Sequence, residues 1–110
     1  MSQDFSTFEE FWPFYVGEHM KASTRQIHFA GTTAGLLLAA QGLWLAALLA
    51  AYGLAWVAHF YVEKNWPATF QHPWLSLRGD FRMYELMLKG EMDAEIARLA
   101  REGKLRKPFA

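Results

Sequence analysis

The stretch FAGTTAGLLLAAQGLWLAALLAAYGLAWVAHFYV, from Phe29 to Val62, contains no Asp, Glu, Lys or Arg. Its only strongly polar members are Gln41 and His59. One straight helix of these 34 residues would be about 50 Å long, against a bilayer core of about 30 Å. Gln41-Gly42 offers a natural break. It divides the region into segments of about 24–40 and 43–62, 17 and 20 residues long, both within the spanning range. Helices rich in Leu and Ala, with no charged face, have nothing to show to water. The expected fold is therefore all-α: a small membrane protein built on a two-span hairpin, with residues 1–110 as one domain. A soluble protein with a buried hairpin is the alternative.

Charge is distributed around this stretch, not within it. Residues 1–28 carry a net charge of −2 and residues 64–110 a net charge of +3. The last turns are the most basic, with Arg98, Arg101, Lys104, Arg106 and Lys107 facing only Glu102. A hairpin puts both termini on one side, and the cationic C-terminal region points to the cytoplasm for that side. The chain total of 11 cations and 11 anions speaks against a basic nucleic-acid binder. The absence of Cys removes disulfides, iron–sulfur clusters and zinc-thiolate sites. An acidic, aromatic beginning is not the cationic start of a signal peptide.

Ser6 and Glu9 fit a capping box that starts a helix. Phe5, Phe8, Trp12, Tyr15 and His19 follow as one stripe, predicting an amphipathic helix resting on the membrane or on the hairpin. Pro13 is expected to kink or restart it. Ser23 or Thr24 can cap the first span, and Gly31 and Gly35 allow close helix approach. Residues 66–77 read as an irregular connector. Polar helices follow within about 80–102, interrupted at Gly90 and stopped at Gly103, with Met92, Ile96 and Leu99 on one face.

The four histidines occupy distinctive places. His19 ends the aromatic stripe, His28 opens the first span, His59 lies near the end of the second, and His72 sits in the connector. In a hairpin all four can converge at one membrane surface. Imidazole binds iron, zinc, copper and nickel well, and carboxylates join it in open-sided iron sites. Glu63 is one helical turn after His59, so the two can reach one metal, or Glu63 can orient the imidazole. The bland reading makes each His an interfacial anchor. In that reading Arg25, Lys64, Arg78 and Arg82 are contacts to lipid phosphate. No dinucleotide, P-loop, HExxH or nucleophile-elbow motif is present.

The segments Phe-Tyr-Val-Gly-Glu-His (14–19), Arg-Gln-Ile-His-Phe-Ala-Gly-Thr-Thr (25–33), Trp-Val-Ala-His-Phe-Tyr-Val-Glu-Lys-Asn-Trp-Pro-Ala-Thr-Phe (56–70) and His-Pro-Trp-Leu-Ser-Leu-Arg-Gly-Asp-Phe-Arg-Met (72–83) resemble the Mpo-like membrane proteins, in their short, mostly bacterial branch. The resemblance covers roughly residues 5–88. Longer fungal members are endoplasmic-reticulum 2-hydroxy fatty acid dioxygenases that use ferrous iron to shorten the acyl chain by one carbon. The family's His-x8-His pair matches His19 and His28, and its His-x3-Glu with Pro-Ala matches His59, Glu63, Pro67 and Ala68. The segment from His72 to Asp80 resembles a feature of the short branch, and this chain lacks the extra spans of the longer members.

The resemblance implies an Fe(2+) cofactor and a long-chain 2-hydroxy fatty acid, or a related lipid, as substrate. It implies His19, His28 and His59 as metal ligands, with His72 a fourth ligand or a base beside them. Glu63 would orient His59 or move a proton. Arg25, Arg78 or Lys64 would neutralise the substrate carboxylate. The expected location is a bacterial inner membrane with both termini cytoplasmic, and two spans alone make a scaffold thin enough to favour a homo-oligomer. Two other readings keep their place: another membrane metalloenzyme built on the His cluster, and a non-enzymatic membrane adaptor or lipid-binding protein.

Overall fold

The computed structural model describes residues 5–66 and 71–105. Among these there are helices and no strands: α1 (Phe8–Gly17), α2 (Ala22–Ala40), α3 (Trp44–Val57), a π-helical continuation of α3 over Ala58–Glu63, α4 (Pro73–Leu88) and α5 (Met92–Arg101). The chain divides into two compact units, one formed by His19–Pro67 and the other by the segments on either side of it.

The unit His19–Pro67 is the hairpin. Gln41 ends α2, and Gly42 turns the chain with φ at +80°, a left-handed value that suits glycine. The break at Gln41-Gly42 is thus where the sequence placed it. The start of α2 is not: its N-cap is Lys21, and no side chain caps it. The helices pack tightly at Gly31 and Gly35. A Cβ at Gly31 would lie 3.1 Å from Leu54 Cβ and 3.2 Å from the Ala51 carbonyl oxygen. At Gly35 it would meet the Ala47 oxygen and Ala51 Cβ, each at 3.2 Å. Outward faces carry apolar side chains, with Trp44, Leu45, Leu48 and Leu49 all more than half exposed.

Among the described residues, one helix is long and apolar enough to cross a membrane: α3 with its π-helical end, Trp44–Glu63, 20 residues. The expected pair of spans is therefore present as a helical pair, of which only the second meets that measure. α2 has the length, but Thr24, Arg25, Gln26 and His28 reduce the hydropathy of its first half.

The other unit is built on α1, α4 and α5. Its core is Phe11, Trp12, Tyr15, Val16, Met83, Leu86, Met92 and Leu99. The aromatic stripe of α1 thus packs in a protein core with α4 and α5. The cap of α1 is one residue later than expected: Thr7 Oγ1 accepts from Glu10 N–H, and Glu10 Oε1 accepts from Ser6 N–H. α1 continues through Pro13 without restarting. Pro13 has no N–H to give the Glu9 carbonyl in the usual helical bond, and Glu9 is an exposed residue of the first turn.

α4 begins at Pro73, seven residues before the expected start. Proline at the first helical position lacks only an N–H that would have had no partner there, and its fixed φ suits the turn. Inside α4, Gly79 lies against Tyr15: an added Cβ would stand 2.6 Å from Cδ2 and 2.8 Å from Cε2 of the fully buried ring. In α5, Met92 and Leu99 are buried with Ile96 beside them, as the periodicity predicts. Trp12 Nε1–H donates to Glu95 Oε2 at 2.7 Å, and Arg98 pairs with the same carboxylate. The candidate residues Pro67 and Ala68, and the cations Arg106 and Lys107, lie outside the described residues.

Gly79→Ala forces the Tyr15 ring to move within a packed core. A loss of about 1–3 kcal/mol is expected, read as a lower thermal midpoint. Hydrogen bonding from Arg98, with a lesser contribution from Trp12, holds the Glu95 carboxyl below its usual range against the opposing effect of burial. Its contribution to stability is full above the unfolded carboxyl value of about 4.3 and is lost as pH falls through the depressed folded value. Glu95→Gln should therefore lower stability by about 1–2 kcal/mol at neutral pH and make little difference in strong acid, measured by denaturant unfolding.

Candidate metal centre

Three of the four histidines meet inside the hairpin unit. His19, His28 and His59 are all buried, and one ring nitrogen of each lies within 4.8 Å of the other two. His19 Nε2 is 3.2 Å from His28 Nε2, which is 3.2 Å from His59 Nε2. The rings stand edge to face, with centroids 4.5–5.1 Å apart.

Each imidazole is delivered by a different piece of local structure. His28 lies on α2, three residues before Gly31, where an added Cβ would crowd α3. His19 stands before α2, and its backbone is pinned by Arg25. The buried guanidinium donates from Nη1 to the carbonyls of His19 and Met20, each at 2.8 Å. His59 belongs to the π-helical turn, a geometry whose wide ring inserts an extra residue and is frequent at functional sites. That turn ends at Lys64, which takes the left-handed conformation with φ at +63°. Asn65 then returns to His59: its N–H donates to the His59 carbonyl at 2.9 Å, and its Oδ1 accepts from His59 Nδ1 at 2.7 Å.

This donor set fits a metal ion. An amide oxygen only accepts, so this contact favours the His59 tautomer with its proton on Nδ1, which would leave a lone pair on the Nε2 that faces the other rings. A neutral imidazole has a single N–H, so His28 Nε2 cannot serve both neighbours fully. A cation accepting three lone pairs satisfies all of them. Three nitrogens bonded to one divalent ion at about 2.0–2.1 Å stand about 3–3.4 Å apart, close to the 3.2 Å found here. Thr24, one turn before His28 on the same side of α2, adds a fully buried hydroxyl with no hydrogen-bond partner among the described residues.

The other candidates are placed differently. Glu63 Oε1 accepts from the backbone N–H of Lys21 at 3.1 Å, and Lys21 Nζ donates to the Val62 carbonyl at 2.7 Å. These bonds tie the end of the hairpin to its beginning. Asn65, not Glu63, contacts the outer nitrogen of His59. Lys64 is exposed in the hairpin unit. His72 and Arg78 belong to the other unit. The His72 ring lies edge-on to Phe5 and Phe11, and its Nε2 is buried with no hydrogen-bond partner among the described residues. The Arg78 guanidinium sits 4.5 Å over the Phe8 ring. In that unit the Tyr15 hydroxyl also donates to Asp80. Loss of hydration pushes the Asp80 carboxyl up to about 6, and the Tyr15 hydrogen bond opposes the rise. Spacing gave no sign of Asn65 or of Tyr15–Asp80, because a left-handed turn makes the first contact and tertiary packing the second.

The strained conformation at Lys64 yields a test. Glycine adopts it without the cost of a Cβ, so Lys64→Gly should raise stability by about 1 kcal/mol and leave metal binding intact. A thermal shift measured beside metal content checks both expectations.

No curated protein and no solved structure gives a significant match to the chain. A family profile does, over residues 5–92, under the description 2-hydroxy-palmitic acid dioxygenase Mpo1-like. The match takes in all three clustered histidines and most of the chain, and the protein belongs to the Mpo1-like family.

Proposed function

We propose that this protein is an iron(II)-dependent dioxygenase that shortens long-chain 2-hydroxy fatty acids by one carbon at a membrane surface. The observation that carries the reading is the set of three buried Nε2 atoms, in a chain whose family description names that activity. Imidazole nitrogens suit ferrous iron, and three of them leave room for further ligands on the ion. Bound iron would supply the redox chemistry with dioxygen.

The reaction needs no further reductant. A 2-hydroxy acid and one dioxygen give the one-carbon-shorter acid, carbon dioxide and water. The substrate gives up four electrons and dioxygen takes four. The chain's own part is positioning. Arg25 holds the His19 backbone, Asn65 holds the His59 ring, and the Glu63–Lys21 contacts close the hairpin beside them. Of the three cations considered for the substrate carboxylate, Lys64 is exposed in the unit that carries the histidines, and we assign the carboxylate to it. The exposed apolar faces around Leu45 and Leu49 suit lipid, and an acyl tail has the same chemistry.

Oxygen consumption by the detergent-solubilised protein, supplied with ferrous iron and a long-chain 2-hydroxy fatty acid, tests the reading. Uptake should require all three components and yield the shortened acid. His59→Ala should lose bound iron and reduce the rate by more than about 100-fold, because a ligand and not merely its support is removed. Tight metal binding with no uptake would point to a metalloenzyme of different substrate. Neither metal nor uptake would favour an adaptor or lipid-binding role.

A further inference from the structure

We infer that Asn65 is a positioning residue that fixes the tautomer and ring orientation of His59, so that the His59 Nε2 lone pair faces the other two histidines. The inference rests on the reading of the three histidines as a metal site.

The geometry carries it in three ways. First, Asn65 grips His59 at two points, its N–H on the His59 carbonyl at 2.9 Å and its Oδ1 on Nδ1 at 2.7 Å. The backbone bond fixes where the side chain starts, so the amide oxygen reaches the ring with little freedom left to lose. Second, this return requires the π-helical turn and the left-handed Lys64, whose N–H also donates to the His59 carbonyl. A strained backbone at a non-glycine residue is kept only where its surroundings demand it. Here its consequence is the Asn65–His59 contact. Third, both residues are buried, Asn65 at 8 % and His59 at 2 % exposure, so water competes poorly for Nδ1. Without the amide oxygen, His59 would be free to hold its proton on Nε2. That proton would occupy the nitrogen needed for a metal. A hydrogen bond to the outer nitrogen also raises the basicity of a ligating imidazole, and loss of such a partner costs about 10–100-fold in metal affinity.

The test compares wild type with Asn65→Leu, which fills similar space without an acceptor, and Asn65→Asp, which keeps one. Long-range nitrogen–proton NMR correlations on metal-free, histidine-labelled protein report the tautomer of His59. Titration with ferrous or cobaltous ion reports affinity. The expected wild-type result is a proton on Nδ1. Asn65→Leu should move population to the Nε2–H form and weaken metal binding by about 10–100-fold, while Asn65→Asp restores both. Should Asn65→Leu fail to fold, Asn65→Ala replaces it, and the wild-type spectrum still decides. A wild-type His59 protonated on Nε2, or a tautomer and affinity unchanged in Asn65→Leu, overturns the inference. Wild-type protein that binds no metal overturns the proposed function instead, and the tautomer measurement then judges Asn65 separately.

Discussion

Three imidazole nitrogens packed at hydrogen-bonding distance in a buried site cannot all be satisfied by one another, and the hairpin is built around that constraint. The Asn65 contact favours the His59 proton on Nδ1, and the remaining lone pair then faces the His28 nitrogen, which also has the His19 nitrogen at 3.2 Å. Burying such a group is unfavourable unless something accepts its lone pairs. The surroundings leave the rings little room to relax. Gly31 and Gly35 bring α2 against the backbone of α3, Arg25 anchors the peptide of His19, and Asn65 holds the His59 ring. A cluster held this firmly is a preorganised ligand set: the cost of ordering the side chains is met by folding and not by binding.

The residues that support the cluster are polar groups spent on backbone. Arg25 donates to two carbonyls, Glu63 accepts from one N–H, and Lys21 donates to a third carbonyl. All of them lie around the ends of helices, where backbone groups lack helical partners. The open end of the hairpin can therefore be closed by charged side chains while the remainder of α2 and α3 stays apolar. The π-helical turn belongs to the same region. It gives up regular hydrogen bonding over Ala58–Glu63 at the place where a side chain has to be directed inward.

The second unit is organised on different physics. Its core is aromatic and thioether-rich, with Trp12 and Tyr15 stacked at 5.6 Å and Met83 and Met92 filling the space around them. Gly79 exists in α4 because the Tyr15 ring occupies the space of a Cβ. The Tyr15–Asp80 contact adds a polar bond to that packing, and both groups are held toward their neutral forms chiefly by loss of hydration. His72 is framed by Phe5 and Phe11 at the start of α4.

The sequence by itself offered His19, His28, His59 and His72 as a cluster, of which the first three meet, and it determined the helical class, the uncharged hairpin with its turn at Gln41-Gly42 and the buried face of α5. Those features are periodic or compositional, so they are readable along the chain. The sequence misplaced the start of α4, because Pro73 reads as a break unless its position in the first turn is known. It offered two seats for the α1 stripe, membrane or hairpin. Packing supplied a third, because only the folded chain brings Met83, Leu86, Met92 and Leu99 to those rings. It offered Glu63 as the partner of His59 from an α-helical spacing of four. The chain leaves the α-helix there, and a wide turn followed by a left-handed residue presents Asn65 instead. Spacing rules assume regular helix, and this site is formed where the helix stops being regular.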